Sequence, residues 1–155
     1  MTEECNFGKL EETYYVNGNA QIRILYSDER NEYLYQVVEP EISDIERFFI
    51  SELARRLWKV LPADADLRVS AEVLERKIKE LIGRMQVPMP HDMMGRIIYY
   101  LVRDMLGFGK IDAMMNDRFI EDISCDGYNV PIFVFHWKYG SVKTNISYEV
   151  HELDR

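Results

Sequence analysis

The chain has 155 residues, 47% of them hydrophobic and 12% aromatic, with a formal net charge of −8. That composition supplies one ordinary core and excludes a disordered tail. The acid excess repels a phosphate backbone, and no stretch approaches the roughly 20 apolar residues of a membrane span, so neither nucleic acid nor a direct membrane span is expected.

In chain order, the N-terminal MTEECNFGKLEETYY is acidic and lacks the basic and apolar regions of a secretory signal, which predicts a cytosolic chain. Cys5 and Cys125 belong to no CxxC pair and read as free thiols. Residues 1–40 are strand-rich. Ala20 to Tyr26 alternates in polarity, Ser27 to Asn31 is polar enough to turn, and Tyr33 to Val38 is rich in β formers, so a hairpin is predicted. Pro40 ends this region.

Residues 41–106 read as helical. Ser43 and Glu46 fit a capping box in which each side chain satisfies the other's backbone N–H. The stripe Ile45, Phe49, Leu53, Leu57 and Leu61, with Phe48 and Val60 beside it, predicts a helix closed by Pro62. A second helix, capped by Ser70, is predicted from Ala71 to about Gln86 on Leu74, Ile78, Leu81 and Met85. A third follows Pro88 and Pro90, with Met94, Ile97, Ile98, Leu101 and Met105 as its buried stripe and Gly107 as a left-handed stop.

Residues 107–155 read as a short helix over Ile111 to Asn116 and strands near Ile120–Ser124, Ile132–Trp137 and Val142–Tyr148. Asp126-Gly127 and Tyr139-Gly140-Ser141 are the turns between them. Strand alternation places Phe133 and Phe135 on one face and Val134 and His136 on the other. The predicted fold class is therefore α+β: an N-terminal β-hairpin, a three-helix bundle, then a short helix and a small antiparallel sheet.

Catalytic signatures are sparse. Gly107-Phe108-Gly109-Lys110 has the glycines and lysine of a phosphate cradle, but a P-loop needs GxxxxGK followed by Ser or Thr, and here Ile111 follows the lysine. The segment reads as a helix stop and turn. Glu121, Asp122 and Asp126 are candidate hard-cation ligands, yet neighbours on a strand point to opposite faces, which favours a solvated strand edge. His91, His136 and His151 form no HxxxH or HExxH pattern. Ser124-Cys125 lies outside a GxSxG context. Asn145-Ile146-Ser147 fits a glycosylation acceptor, which a chain without a secretory signal does not present to that machinery. The aromatic residues Phe133, Phe135, Trp137 and Tyr139 suit a sheet face or an interface. No catalytic, cofactor-binding or metal-binding residue is assigned.

Five segments taken together carry more than any one of them. Val37-Val38-Glu39-Pro40, Gly107 to Asp112, Ile120 to Gly127, Pro131 to His136 and Thr144-Asn145-Ile146 stand in collinear order over about two-thirds of the chain. In that order they resemble the N-terminal domain of archaeal type II/type IV secretion-superfamily ATPases, the hexameric motors of secretion, pilus and archaellum systems. The residues that carry the resemblance are Gly107, Gly109, Lys110, Asp112, Glu121, Asp122, Ser124, Gly127, Pro131, His136, Thr144 and Asn145, with structural roles implied for them.

The resemblance implies one N-terminal domain over residues 1–155, truncated in its last part, from a parent whose ATPase domain lies outside this sequence. No ATP hydrolysis is expected of the chain itself, and it carries no cofactor site; ATP and Mg2+ are implied for the parent. The implied role is to transmit nucleotide-driven motion to a membrane platform protein, with the chain's own ATPase domain and neighbouring subunits of a homohexamer as partners. The implied location is cytoplasmic, peripheral to the membrane through those partners. Two other readings stand beside it: an independent acidic adaptor domain that binds protein, and a small metal-dependent hydrolase using Glu121, Asp122, Asp126 and His136. Truncation predicts an uncovered sheet edge at Val142 to Tyr148.

Overall fold

The computed structural model describes residues 8–17, 19–61 and 70–150. They divide into two compact units, one built from Met1–Glu39 and Lys110–Arg155 and the other from Pro40–Gly109. The fold is α+β, as its periodicities require.

In the first unit, β1 (Lys9–Val16), β2 (Ala20–Ser27) and β3 (Glu32–Val38) form an antiparallel meander. The expected hairpin is β2–β3, which turns through Asn31 at φ +50°. Further along the chain, β4 (Ile120–Ser124), β5 (Phe133–His136) and β6 (Gly140–Thr144) pair antiparallel, with Gly140 entering β6 at φ +75°. Glycine suits that position because a side chain there meets left-handed strain.

The C-terminal strands do not stand as a separate small sheet. β6 pairs in parallel with β3, Leu34 opposite Lys143 and Tyr35 opposite Thr144, giving one six-stranded sheet in the order β1-β2-β3-β6-β5-β4. This overturns the expected free edge at Val142 to Tyr148, because β6 lies inside the sheet and ends at Thr144. The edges are β1 and β4 instead. Each carries a register shift at a glutamate, between Leu10 and Glu12 and between Ile120 and Asp122. A bulge and a charge on an edge strand both discourage pairing with another chain.

One face of the sheet holds the core. Ile22, Ile24, Tyr35, Val37, Val134 and Val142 pack there with Ile132, Ala113 and Met114. As the alternation predicted, Val134 and His136 are buried while Phe133 is half-buried and Phe135 exposed.

The second unit contains α1 (Asp44–Val60), α2 (Ala71–Arg84) and α3 (His91–Met105), joined around Leu53, Leu57, Leu74, Ile78, Ile82, Ile97 and Leu101. Ser70 caps α2 by accepting from the Val73 N–H at 3.2 Å. Ser43 likewise accepts from the Glu46 N–H at 3.2 Å, but the capping box is not reciprocal. The Glu46 carboxyl turns to Arg96 and accepts two hydrogen bonds at 2.9 and 2.8 Å. A bidentate guanidinium outcompetes a single backbone donor. The α1 stripe is also narrower than predicted: Ile45, Phe48 and Val60 are exposed, and the buried residues are Glu46, Leu53 and Leu57. Pro62 lies outside the described residues.

α3 does not stop on a left-handed Gly107. It ends at Met105, the Gly107 N–H donates to the Val102 carbonyl at 3.2 Å, and the positive φ, +61°, falls at Gly109. A 3₁₀ turn, Gly109–Ile111, then leads into the short helix α4 (Asp112–Met115), where a short helix was expected. Among the described residues no helix is long and apolar enough to cross a membrane.

Candidate functional site

The densest polar chemistry lies inside the sheet unit, at residues of which the sequence reading had marked only His136. Asp117 occupies the turn between α4 and β4, where its Oδ1 accepts from the Phe119 N–H at 2.9 Å. A short acidic side chain closing its own turn in this way is ordinary turn chemistry. Its Oδ2 accepts from two tyrosine hydroxyls, Tyr14 on β1 at 2.6 Å and Tyr35 on β3 at 2.7 Å. One carboxyl group thus ties together three stretches of chain.

His136 on β5 completes the set. Its Nδ1 accepts from the Lys138 N–H at 3.1 Å, so in the neutral ring the proton sits on Nε2, which lies 3.2 Å from the Tyr14 hydroxyl. Because the Tyr14 hydroxyl spends its proton on Asp117, the direction of donation runs from His136 to Tyr14 to Asp117. Phe119 closes over the cluster, edge-on to Tyr14 at 5.3 Å and 5.9 Å from the His136 ring, while Tyr139 lies 4.9 Å from that ring.

Burial sets the protonation states. It pushes His136 below its ordinary value, against the smaller opposing pull of Asp117 and Glu12. Burial and Asp117 together push the hydroxyls of Tyr14 and Tyr35 well above theirs. Next to the cluster, the hydroxyl of Tyr139 donates to Glu12, whose carboxyl also meets Lys138 Nζ at 3.2 Å. The Tyr139 hydroxyl is the foremost cause that lowers the Glu12 pKa.

An open cavity of about 220 Å3 adjoins this cluster, lined by Tyr14, Asn17, Asn116, Asp117, Arg118 and Phe119 among others. No buried side-chain nitrogen or oxygen among the described residues lacks a partner. The donors and acceptors of the cluster therefore face one another, and the arrangement locks β1, β3, β5 and the α4–β4 turn.

The residues singled out from sequence scatter around this lock. Only His136 belongs to it. Glu121 and Asp122 straddle the β4 bulge, so strict alternation fails there and both are exposed. Ser124 Oγ lies 3.3 Å from Asp126 Oδ1 at the exposed end of β4, Gly127 adopts φ +133° in the following turn, and Cys125 is an exposed free thiol. Glu121, Asp122, Asp126 and His136 form no group: among the described residues no three His, Cys, Asp or Glu side chains are placed to hold a metal. Cys5 and His151 lie outside the described residues.

The remaining motif residues have structural partners. Gly107 and Gly109 shape the exit from α3, and the Asp112 carbonyl accepts from Asn116 Nδ2 at 2.8 Å. Lys110 Nζ donates to the Ser147 carbonyl at 3.3 Å. Pro131 precedes the fully buried Ile132, and the Thr144 hydroxyl accepts from the Ile146 N–H at 3.1 Å. The Asn145 amide grips both backbone groups of Val37, accepting from its N–H at 2.8 Å and donating to its carbonyl at 3.1 Å.

No family model matches the chain. Two proteins of Methanocaldococcus jannaschii are similar to it. Uncharacterized protein MJ1288 is 35% identical over 138 residues, which cover 87% of this chain and 55% of that protein. Uncharacterized protein MJ0781 is 30% identical over 126 residues, covering 79% of this chain and 17% of that protein. The chain thus spans about half the length of the first relative and about a sixth of the second.

Proposed function

We propose that this chain is the N-terminal assembly and regulatory domain of an archaeal type II/type IV secretion or pilus-assembly ATPase, which passes nucleotide-driven motion to a membrane platform on the cytoplasmic side. The observation that carries the reading is the collinear set of motifs from Val37 to Ile146. Its support from the fold is that these residues make tertiary contacts with one another: Asn145 with Val37, and Lys110 with the segment just after Asn145. The relatives bear only on its being part of a larger protein: a matching stretch lies within longer proteins of Methanocaldococcus jannaschii. In this reading the chain hydrolyses no ATP, and ATP and Mg2+ belong to a phosphate-loop domain in the same or an adjacent reading frame.

The test is to identify that ATPase domain and measure its hydrolysis and its ring assembly with and without residues 1–155. The expected result is association of the two parts, altered coupling when residues 1–155 are removed, and no turnover by the chain alone. Absence of any phosphate-loop protein, in the same frame or beside it, that associates with this chain sinks the reading.

A further inference from the structure

The chain passes between its two units twice, at Glu39–Pro40 and at Gly109–Lys110. On the sheet side, both passages are held by the same four residues. Asn145 grips Val37 through its paired hydrogen bonds, two residues before the first passage. Lys110, the first residue after the second passage, donates to the Ser147 carbonyl and stands 5.8 Å from the centre of the Tyr148 ring, within cation–π range.

That four-residue segment is itself fastened. The Asn145 N–H donates to the Tyr35 carbonyl at 3.3 Å, the Ile146 carbonyl accepts from the Ile132 N–H at 2.8 Å, and the Tyr148 carbonyl accepts from the Asn129 N–H at 2.7 Å. Ile146 and Tyr148 pack against the sheet core. Because 145–148 is no strand, its attachment rests on these discrete bonds, and the Asn145 amide stands in for a strand partner at the end of β3.

At the first passage, proline fixes its own φ and restricts the residue before it, and the Pro40 carbonyl accepts from the Tyr100 hydroxyl on α3. The other passage contains Gly107, whose N–H is bonded to the Val102 carbonyl, and Gly109, whose φ of +61° suits a residue without a Cβ.

We propose that Asn145–Tyr148 is a single clamp that holds both passages to the sheet, so that Val37 and Lys110 are fixed or released together. The proposal stands on these contacts and holds whether or not the chain serves a motor. If the clamp is one device, releasing Val37 also loosens Lys110, although the two residues are 73 positions apart in sequence.

Amide order parameters and hydrogen exchange measured by NMR on the 155-residue chain test it. In the unaltered chain Val37 and Lys110 are expected to be as rigid as ordinary backbone, with order parameters of about 0.85. Asn145 is exposed, so Asn145→Ala leaves no buried cavity. That substitution is expected to accelerate Val37 amide exchange at least about tenfold and to lower the Lys110 order parameter below about 0.7, with β1 and β2 unchanged. A faster Val37 with an unchanged Lys110 overturns the clamp. If Asn145→Ala loosens β1 and β2 as well, Lys110→Met decides: faster exchange at Val37 supports the clamp, and an unchanged rate overturns it.

Discussion

The two units solve the problem of a core differently. The helical unit buries Leu53, Leu57, Leu74, Ile78, Ile82, Ile97 and Leu101, with the Glu46–Arg96 pair among its hydrogen-bonded contacts. The sheet unit buries Asp117, His136, Gln36, Ser27 and Thr144 among its apolar residues. The difference follows from backbone bookkeeping. A helix satisfies its interior N–H and carbonyl groups locally, so its packing can be apolar and nondirectional. A sheet assembled from strands more than 100 residues apart, such as β3 and β6, depends on specifying which strands meet. A buried polar lock adds that direction, because a wrong partner leaves its groups unsatisfied.

The largest expected effect attacks the lock. Asp117→Ala removes the shared acceptor of Tyr14, Tyr35 and the Phe119 N–H, which leaves the buried Tyr35 hydroxyl and two half-buried donors without their partner and costs about 4 kcal/mol. Urea denaturation followed through amide signals of each unit should place that loss in the sheet unit. Next comes Leu101→Ala, where a fully buried side chain leaves a cavity in the helical core, at about 3 kcal/mol and in the helical unit. Equal losses in both units for either variant would mean that the chain unfolds as one body, and the contrast between the cores would dissolve.

The smallest effect sharpens the contrast through pH. Burial holds the folded pKa of His136 below the ordinary 6.5, so the folded state binds fewer protons at this site than the unfolded chain. The stabilisation is therefore fully present above about pH 6.5, and it is lost as pH falls from there toward the folded pKa, by at most about 1.4 kcal/mol per pH unit. Protonation also puts an N–H on Nδ1, facing the Lys138 N–H that it now accepts from. Stability of the sheet unit between pH 7.5 and 5.5 should slope accordingly, and His136→Asn should flatten the slope. Glu12 and Glu46, whose pKa values are lowered, act in the same direction but only below about pH 4.5. A slope between pH 7.5 and 5.5 that persists in His136→Asn would show that the histidine does not cause it.

Local rules worked where a single element decides the outcome. The Ser70 cap, the β2–β3 hairpin, β4 from Ile120 to Ser124 and the opposite faces of Val134 and Phe135 were all legible in the sequence. They failed where two contacts competed or two distant segments met. Glu46 fits a capping box by spacing, yet Arg96, 50 residues away, takes its carboxyl. The Asp117 lock was missed because Tyr14, Tyr35, Asp117 and His136 share no motif spacing. Their one visible trace is that Tyr14 lies on the alternation that buries Val16, and Tyr35 on the one that buries Val37.

What the sequence determined by itself is the kind and order of elements, since hydrophobic periods of 2 and 3.6, caps and turn residues act over a few positions. The order of strands in the sheet, the burial of β6 between β3 and β5, the lock around Asp117 and the clamp at Asn145 were decided by the tertiary structure. The reason is that a residue's period names the face it occupies and not the partner it meets. Partners are chosen by which arrangement leaves no buried polar group unpaired, and that is a property of the whole fold.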